Sequence, residues 1–326
     1  MNIKVKDILN VCNGELIFGS EDITCENFSK DTRVIQENDI YIGIKGENFD
    51  GNNLYEQAFE KGAKVCIVQG VDISDDVKNK YKDRCLVKVA DTIKALGQIA
   101  SYKRSLYDIP VIAITGSVGK TSTKDMVASV VGTTYEVLKT EGNMNNHIGL
   151  PMTILKLKNH NALVVEMGMN NLGEISTLSK IAKPNIAIIT NLGTAHIGNL
   201  GSRENILKAK LEILEGLQEN GTLIINNDND LLSKWLKTKN NSVKVFTYGI
   251  DNASDIMATN VDILETTSKF QLDVTEQENN ESNYNKKMIN VPVGGKHFIY
   301  NALCAISVGK ILGIKIENVE KRNRAI

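Results

Sequence analysis

The chain has 326 residues, 38 Lys+Arg against 39 Asp+Glu for a net charge of −1, 42% hydrophobic and 24% charged residues. This is ordinary globular composition, sized for two domains or one large domain with attachments, and it excludes collagen-like, coiled-coil and disordered chains. With no overall basic excess to grip a nucleic-acid backbone and aromatics at 5%, few rings to stack on bases, no nucleic-acid partner is expected.

The opening residues, MNIKVKDILNVCNGELIFG, contain no long apolar run and do not read as a signal peptide. No stretch reaches the ~18 uninterrupted apolar residues of a membrane helix, so no membrane insertion is expected. Cys12, Cys25, Cys66, Cys85 and Cys304 are scattered, and none forms a C-x-x-C pair. Buried thiols in a reducing cytoplasm are the plain reading.

Residues 1–88 read as a small α/β domain, with DIYIGIKG a strand, NNLYEQAFEKGA a helix and KVCIVQ a second strand. A helix at 91–106 leads to Asp108-Ile109-Pro110, and Pro110 marks entry into the next strand. Residues 89–314 read as a central domain in which apolar strands alternate with helices: VIAIT (111–115), ALVVEMG (162–168), NIAIITN (185–191) and TLIINND (222–228). Near-continuous apolar runs of this kind predict a mostly parallel sheet covered by helices on both faces. Residues 244–274 alternate more and suggest a β meander. The polar run 276–287 suggests a hairpin tip, and a helix at 298–312 closes the domain.

The densest chemistry lies where VIAIT runs into Gly116-Ser117-Val118-Gly119-Lys120-Thr121-Ser122 and then an amphipathic helix. Glycines let backbone N–H groups wrap a polyphosphate, and the helix N-terminus adds a positive dipole end. Lys120 would neutralise the β and γ phosphates and the Thr121 hydroxyl would ligate Mg²⁺, which points to ATP. A glycine turn with no ligand would also join strand to helix. The general G-x-x-x-x-G-K-[ST] pattern places glycine where this chain has Ile114.

Glu166 follows ALVV, His196 lies in the loop after NIAIITN, and Asp228 and Asp230 follow TLIINN. In an open α/β sheet, ligands bind beyond the carboxyl ends of the strands. Glu166 and His196 therefore either join the phosphate loop in one site or serve as a solvated strand-end carboxylate and a structural loop histidine. Lys210 lies three, four or seven residues from Ile206, Leu207, Leu214 and Leu217, inside the apolar stripe of its helix. Such a lysine either snorkels outward or is placed there for a purpose. In TEGNMNNHIGLP, Asn145 and Asn146 either donate to a ligand or simply build turns.

Together these residues resemble the Mur ligase family over nearly the whole chain. The family's phosphate loop has the shorter form T-G-x-x-G-K-T, present as Thr115 to Thr121, which accounts for Ile114. T-x-G-N-x-N-N-x-I-G-x-P appears as Thr140 to Pro151 and E-M-G…G-E-I as Glu166 to Gly168 and Gly173 to Ile175. N-x-G-x-A-H-I-G appears as Asn191 to Gly198, and the active-lysine segment as Ala209 to Ile213. The asparagine loop favours the branch that adds D-alanyl-D-alanine to UDP-N-acetylmuramoyl-tripeptide.

The resemblance implies an ATP-dependent amide-forming ligase of peptidoglycan precursor synthesis, cytoplasmic and monomeric. ATP would sit on Gly116, Ser117, Gly119, Lys120, Thr121 and Ser122, with Asn301 at the adenine. Mg²⁺ would be held by Thr121, Glu166 and His196. Lys210 would be carbamylated, and Lys120, Lys210, His196 and Glu166 would carry the catalysis. Ser29, Asp31, Arg33, Lys45, Gly46 and Asp50 would hold the UDP-sugar peptide, with Asn145 and Asn146 also facing substrate. Phe298 stands where the family often has asparagine, so adenine recognition is expected to vary there. Family members carry a third, Rossmann-like domain with D-x-Y-N-A-N-P, a motif not found here, and residues 315–326 read as a stub toward it. This chain alone is therefore expected to bind nucleotide yet ligate poorly. The alternatives are a Mur-type ligase for another amino acid and a truncated nucleotide-binding protein.

Overall fold

The computed structural model describes residues 2–239, 243–275 and 286–317. In chain order the elements are β1 (Ile3–Lys4), α1 (Val5–Cys12), β2 (Glu15–Phe18), β3 (Thr24–Cys25), β4 (Phe28–Ser29), β5 (Ile40–Ile42), α2 (Tyr55–Glu60), β6 (Val65–Val68), α3 (Asp75–Lys80), β7 (Cys85–Lys88) and α4 (Thr92–Ser105). They continue with β8 (Val111–Thr115), α5 (Lys120–Val131), β9 (Val137–Lys139), α6 (Gly149–Leu155), β10 (Ala162–Glu166), α7 (Glu174–Ala182), β11 (Ile186–Ile189), α8 (Ile197–Leu200) and α9 (Arg203–Leu211). The last are β12 (Thr222–Asn226), α10 (Asp230–Thr238), β13 (Lys244–Gly249), β14 (Ile256–Ile263), β15 (Ser268–Val274), β16 (Met288–Val291) and α11 (Lys296–Ile311). Two compact units result: Met1–Asp108 with His147–Lys158, and Ile109–Asn146 with Asn159–Ile326.

The first unit holds a five-stranded sheet in the order β2-β7-β6-β5-β4. Strands β4 to β7 pair in parallel and β2 adds an antiparallel edge. All four residues of β6 are buried, as a sheet covered on both faces requires. Helix α4 starts where the Asp91 side chain accepts from the Lys94 amide at 2.9 Å, one of the orphan N–H groups of a helix start. It buries Ala95, Leu96, Ile99 and Ala100 and packs against α1 and α6. That packing draws α4 into the first unit, so the units part after Asp108 and not at residue 88. It also draws in α6, which the chain reaches only after entering the second unit.

The second unit is built on a nine-stranded sheet in the order β16-β15-β14-β13-β12-β11-β8-β10-β9. Strands β9 to β14 with β8 pair in parallel, and β14, β15 and β16 turn antiparallel. Every residue of β8, β10, β11 and β12 is buried. Ile112, Val164 and Ile188 pack with Val130 of α5 and Leu303 of α11 in one core.

The meander expected over 244–274 begins later than its alternation suggested, because Lys244–Gly249 joins β12 in parallel. Its polar residues disguised a buried strand. The Thr247 amide and hydroxyl donate to Asp255 Oδ2 at 2.8 and 2.7 Å, and the buried Tyr248 directs its hydroxyl to the Thr190 carbonyl at 3.4 Å. Of the polar run 276–287, only Lys286 and Lys287 are among the described residues, and both pair with Leu272.

Candidate functional site

After β8 the chain builds β9 and β10 on one side and then crosses to β11 on the other. The sheet therefore switches direction at β8, and a crevice opens beyond the carboxyl ends of β8, β10 and β11. Register sets Glu166 against Ile114 and Ile189 against Thr115, so the loops after these three strands leave from one edge.

The phosphate loop fills that edge. A Cβ on Gly116 would overlap Thr190 Oγ1, and Gly119 has a left-handed φ of 76°, so glycine is required at both positions. Gly119 offers no side-chain cap to α5, which leaves the first-turn N–H groups facing outward for an anion. Lys120 Nζ lies 3.1 Å from the Gly116 carbonyl, folded over the cradle it helps to form. Ser117 is buried, its Oγ accepting from the Gly193 amide at 2.9 Å, while Ser122 is exposed. Asn301 on α11 accepts at Oδ1 from Thr123 Oγ1 at 2.9 Å, which fixes it beside the first turn of α5.

Glu166 is 2% exposed. Its Oε2 accepts from Thr121 Oγ1 at 2.9 Å, its Oε1 from Asn145 Nδ2 at 2.7 Å, and its amide donates to Thr140 Oγ1 at 3.0 Å. Among the described residues no lysine or arginine pairs with it. A buried carboxylate with only neutral partners, set against a threonine hydroxyl, is a hard-oxygen donor set lacking a positive charge. That combination fits Mg²⁺. Asn146 is exposed beside Asn145.

Lys210 is 1% exposed, and among the described residues no hydrogen bond or ion pair reaches its side-chain ammonium. Burial, and then the charge of Lys120, push its pKa down from 10.5 to about 7. His196 is exposed and takes a left-handed φ of 65°. Its pKa is lowered by burial, Lys210 and Lys120, with Glu174 opposing. Lys120, Lys210 and His196 thus share one electrostatic neighbourhood. Among the described residues no hydrogen bond or ion pair joins His196 to Glu166, and no group of three or more His, Cys, Asp or Glu side chains could hold a metal.

The predicted substrate residues of the first unit fall into two turns. Ser29 Oγ bonds both the carbonyl and the amide of Asp31 at 2.9 and 3.1 Å. Arg33 Nη2 reaches Asp31 at 2.6 Å, holding that carboxyl well below the usual range. Lys45 and Asp50 form an antiparallel bridge, and the Gly46 amide donates to the Phe49 carbonyl at 2.8 Å. Tyr41 is pushed up to about 12 by burial first, then Cys66, with Asp31 and Asp50 from these turns adding lesser pushes.

Asp228 and Asp230, singled out at a strand end, serve the scaffold. Asp228 accepts from the amides of Ile250, Asp251 and Asn252 and from the Tyr300 hydroxyl. Asp230 takes both Arg203 Nη groups at 2.7 and 2.6 Å. Sequence reasoning gave no role to Thr140, Thr190 or Asn191, although Thr140 and Asn191 each open a segment that resembles the family.

This fold and site define a phosphate-loop α/β protein with a buried acidic residue and a buried lysine at the sheet's carboxyl edge. The chain belongs to the Mur ligase family: the Mur ligase middle domain matches residues 114–309, and the Mur ligase family catalytic domain matches residues 27–104. It is 39% identical over 319 residues to the UDP-N-acetylmuramoyl-tripeptide–D-alanyl-D-alanine ligase of Bacillus subtilis, covering 97% of this chain and 65% of that protein. The crystal structure of MurF from Acinetobacter baumannii aligns with a TM-score of 0.87 at 30% identity, over 99% of this chain and 68% of that one. MurF from Thermotoga maritima in complex with ADP aligns with a TM-score of 0.78 at 25% identity, over 90% and 65%. The chain thus spans about two thirds of the length of these relatives.

Proposed function

We propose that this chain forms the ATP-binding and UDP-substrate-binding parts of a ligase that joins D-alanyl-D-alanine to UDP-N-acetylmuramoyl-tripeptide. The observation that carries the reading is the Thr121–Glu166 contact beside the glycine cradle, in a chain 39% identical to a ligase of that name. A carboxylate is a poor acyl donor because oxide would have to leave. Phosphoryl transfer from ATP turns it into an acyl phosphate, and the dipeptide amine then displaces phosphate as the amide forms.

The N–H groups from Gly119 to Ser122 would seat the phosphates on the glycine cradle, and Lys120 would hold positive charge against the transferring group. Thr121, Glu166 and His196 would hold Mg²⁺, which supplies further charge at the phosphoryl oxygens when bound. Asn301 would meet the adenine, and Asn145 and Asn146 the acceptor substrate. Ser29, Asp31, Arg33, Lys45, Gly46 and Asp50 would hold the UDP-sugar peptide. Carbamylation of Lys210 would replace a buried cation by an anion and, beside the burial that chiefly lowers its pKa, relieve the like-charge conflict with Lys120. Such a ligase would act as a cytoplasmic monomer in peptidoglycan precursor synthesis, and so in cell shape and division. Among the described residues no helix is long and apolar enough to cross a membrane.

In the protein that carries this chain, ADP release should require both UDP-N-acetylmuramoyl-tripeptide and D-alanyl-D-alanine. Release independent of either substrate refutes the assignment. Lys210→Ala should abolish ligation while nucleotide still binds, and unchanged turnover would remove that lysine from the chemistry.

A further inference from the structure

The crest of the phosphate loop is fastened by the end of the neighbouring strand, not by its own helix. Val118 is 64% exposed, so its side chain anchors nothing. Its backbone is held at both polar atoms by one residue: the Val118 amide donates to Asn191 Oδ1 at 3.0 Å, and Asn191 Nδ2 donates to the Val118 carbonyl at 2.9 Å. Thr190 Oγ1 reaches the same carbonyl at 3.1 Å. The Ser117 amide donates to the Asn191 carbonyl at 3.0 Å, and the Gly193 amide returns a bond to Ser117 Oγ at 2.9 Å.

A side-chain amide presents one acceptor and one donor side by side, the complement of a single residue's N–H and C=O. Aspartate lacks the donor and alanine lacks both. A loop flanked by two glycines has much conformational freedom to lose. Fixing it beforehand removes that cost from binding.

We propose that Asn191 is a positioning residue: by engaging the Ser117 and Val118 amides it fixes the loop so that the N–H groups from Gly119 to Ser122 face the anion, and it ties the phosphate loop to the segment carrying His196. The inference rests on the nucleotide reading above, and ADP, with calorimetry and amide exchange on the purified chain, tests the two separately. The unaltered chain should bind ADP; no binding overturns the nucleotide reading and the clamp with it.

If ADP binds, Asn191→Ala should weaken it about tenfold, the effect of losing two modest hydrogen bonds. Exchange at the Val118 amide should quicken while β8 and β11 stay protected. ADP affinity equal to that of the unaltered chain overturns the clamp. So does a loss accompanied by equal loosening of β8 and β11, which marks a merely structural residue. Thr190→Val keeps shape while removing one donor to the same carbonyl, and should weaken ADP about threefold. Should Asn191→Ala fail to fold, unchanged ADP affinity in Thr190→Val overturns the proposal.

Discussion

Lys210 concentrates the electrostatic strain of this molecule. A free lysine titrates at 10.5, whereas burial and Lys120 bring this one to about 7. Between those values the unfolded chain binds a proton that the folded chain declines, so stability rises with pH across the window and is flat outside it. Below about pH 7 the folded protein carries a buried, unpartnered ammonium at full cost. Lys210→Met keeps length and removes the charge. In CO₂-free buffer it should stabilise the fold at about pH 6 by on the order of 3 kcal/mol and by little at about pH 11. Urea unfolding at both pH values measures this; an equal change at both would mean that packing and not charge governs the site. Glu166 is the complementary case, a buried carboxyl held by the neutral Thr121 and Asn145 side chains, which a bound cation would complete.

Among the elements, α7 and the segment after α9 pack backbone against backbone. The short turn Glu212–Gly216 lies against α7, where a Cβ on Gly216 would overlap the backbone of Ser179. Glu212 accepts from the amides of Gly173 and Ser176 at 2.8 and 3.2 Å, placing a carboxylate at the positive end of α7. The turn that follows Lys210 is thereby fixed to the helix that follows the Glu166 loop. Gly216→Ala must push these backbones apart and should cost about 1–3 kcal/mol in denaturant unfolding. Gly198→Ala, in α8 with open space around the new carbon, should be neutral or stabilise by up to about 1 kcal/mol. Equal effects at both sites would show that helix propensity and not close approach decides the outcome.

At the scale of the whole molecule, the chain leaves the first unit, enters the second, and returns once. Residues His147–Lys158 belong to the first unit although strands of the second flank them in sequence. Ile154 of α6 is fully buried. Ile154→Ala should cost about 2–5 kcal/mol and quicken amide exchange along α4 before β8. The opposite order would assign α6 to the second unit.

The residues themselves were enough to place the glycine cradle and the four central strands, because a phosphate loop needs contiguous residues and a buried parallel strand needs an unbroken apolar run. Lys210 was legible as an oddity for the same local reason, since helical spacing alone sets it among leucines. Three things lay beyond the sequence: the return of α6, the parallel pairing of Lys244–Gly249, and the grip of Asn191 on Val118. Each depends on which distant partner a segment meets. Strand order around β8 brings Glu166 to Thr121, Asn191 to Val118, and Lys210 and His196 into the field of Lys120. Periodicity reports which face of an element is apolar; only the folded sheet, by stacking strands in a particular order, decides which polar ends share an edge.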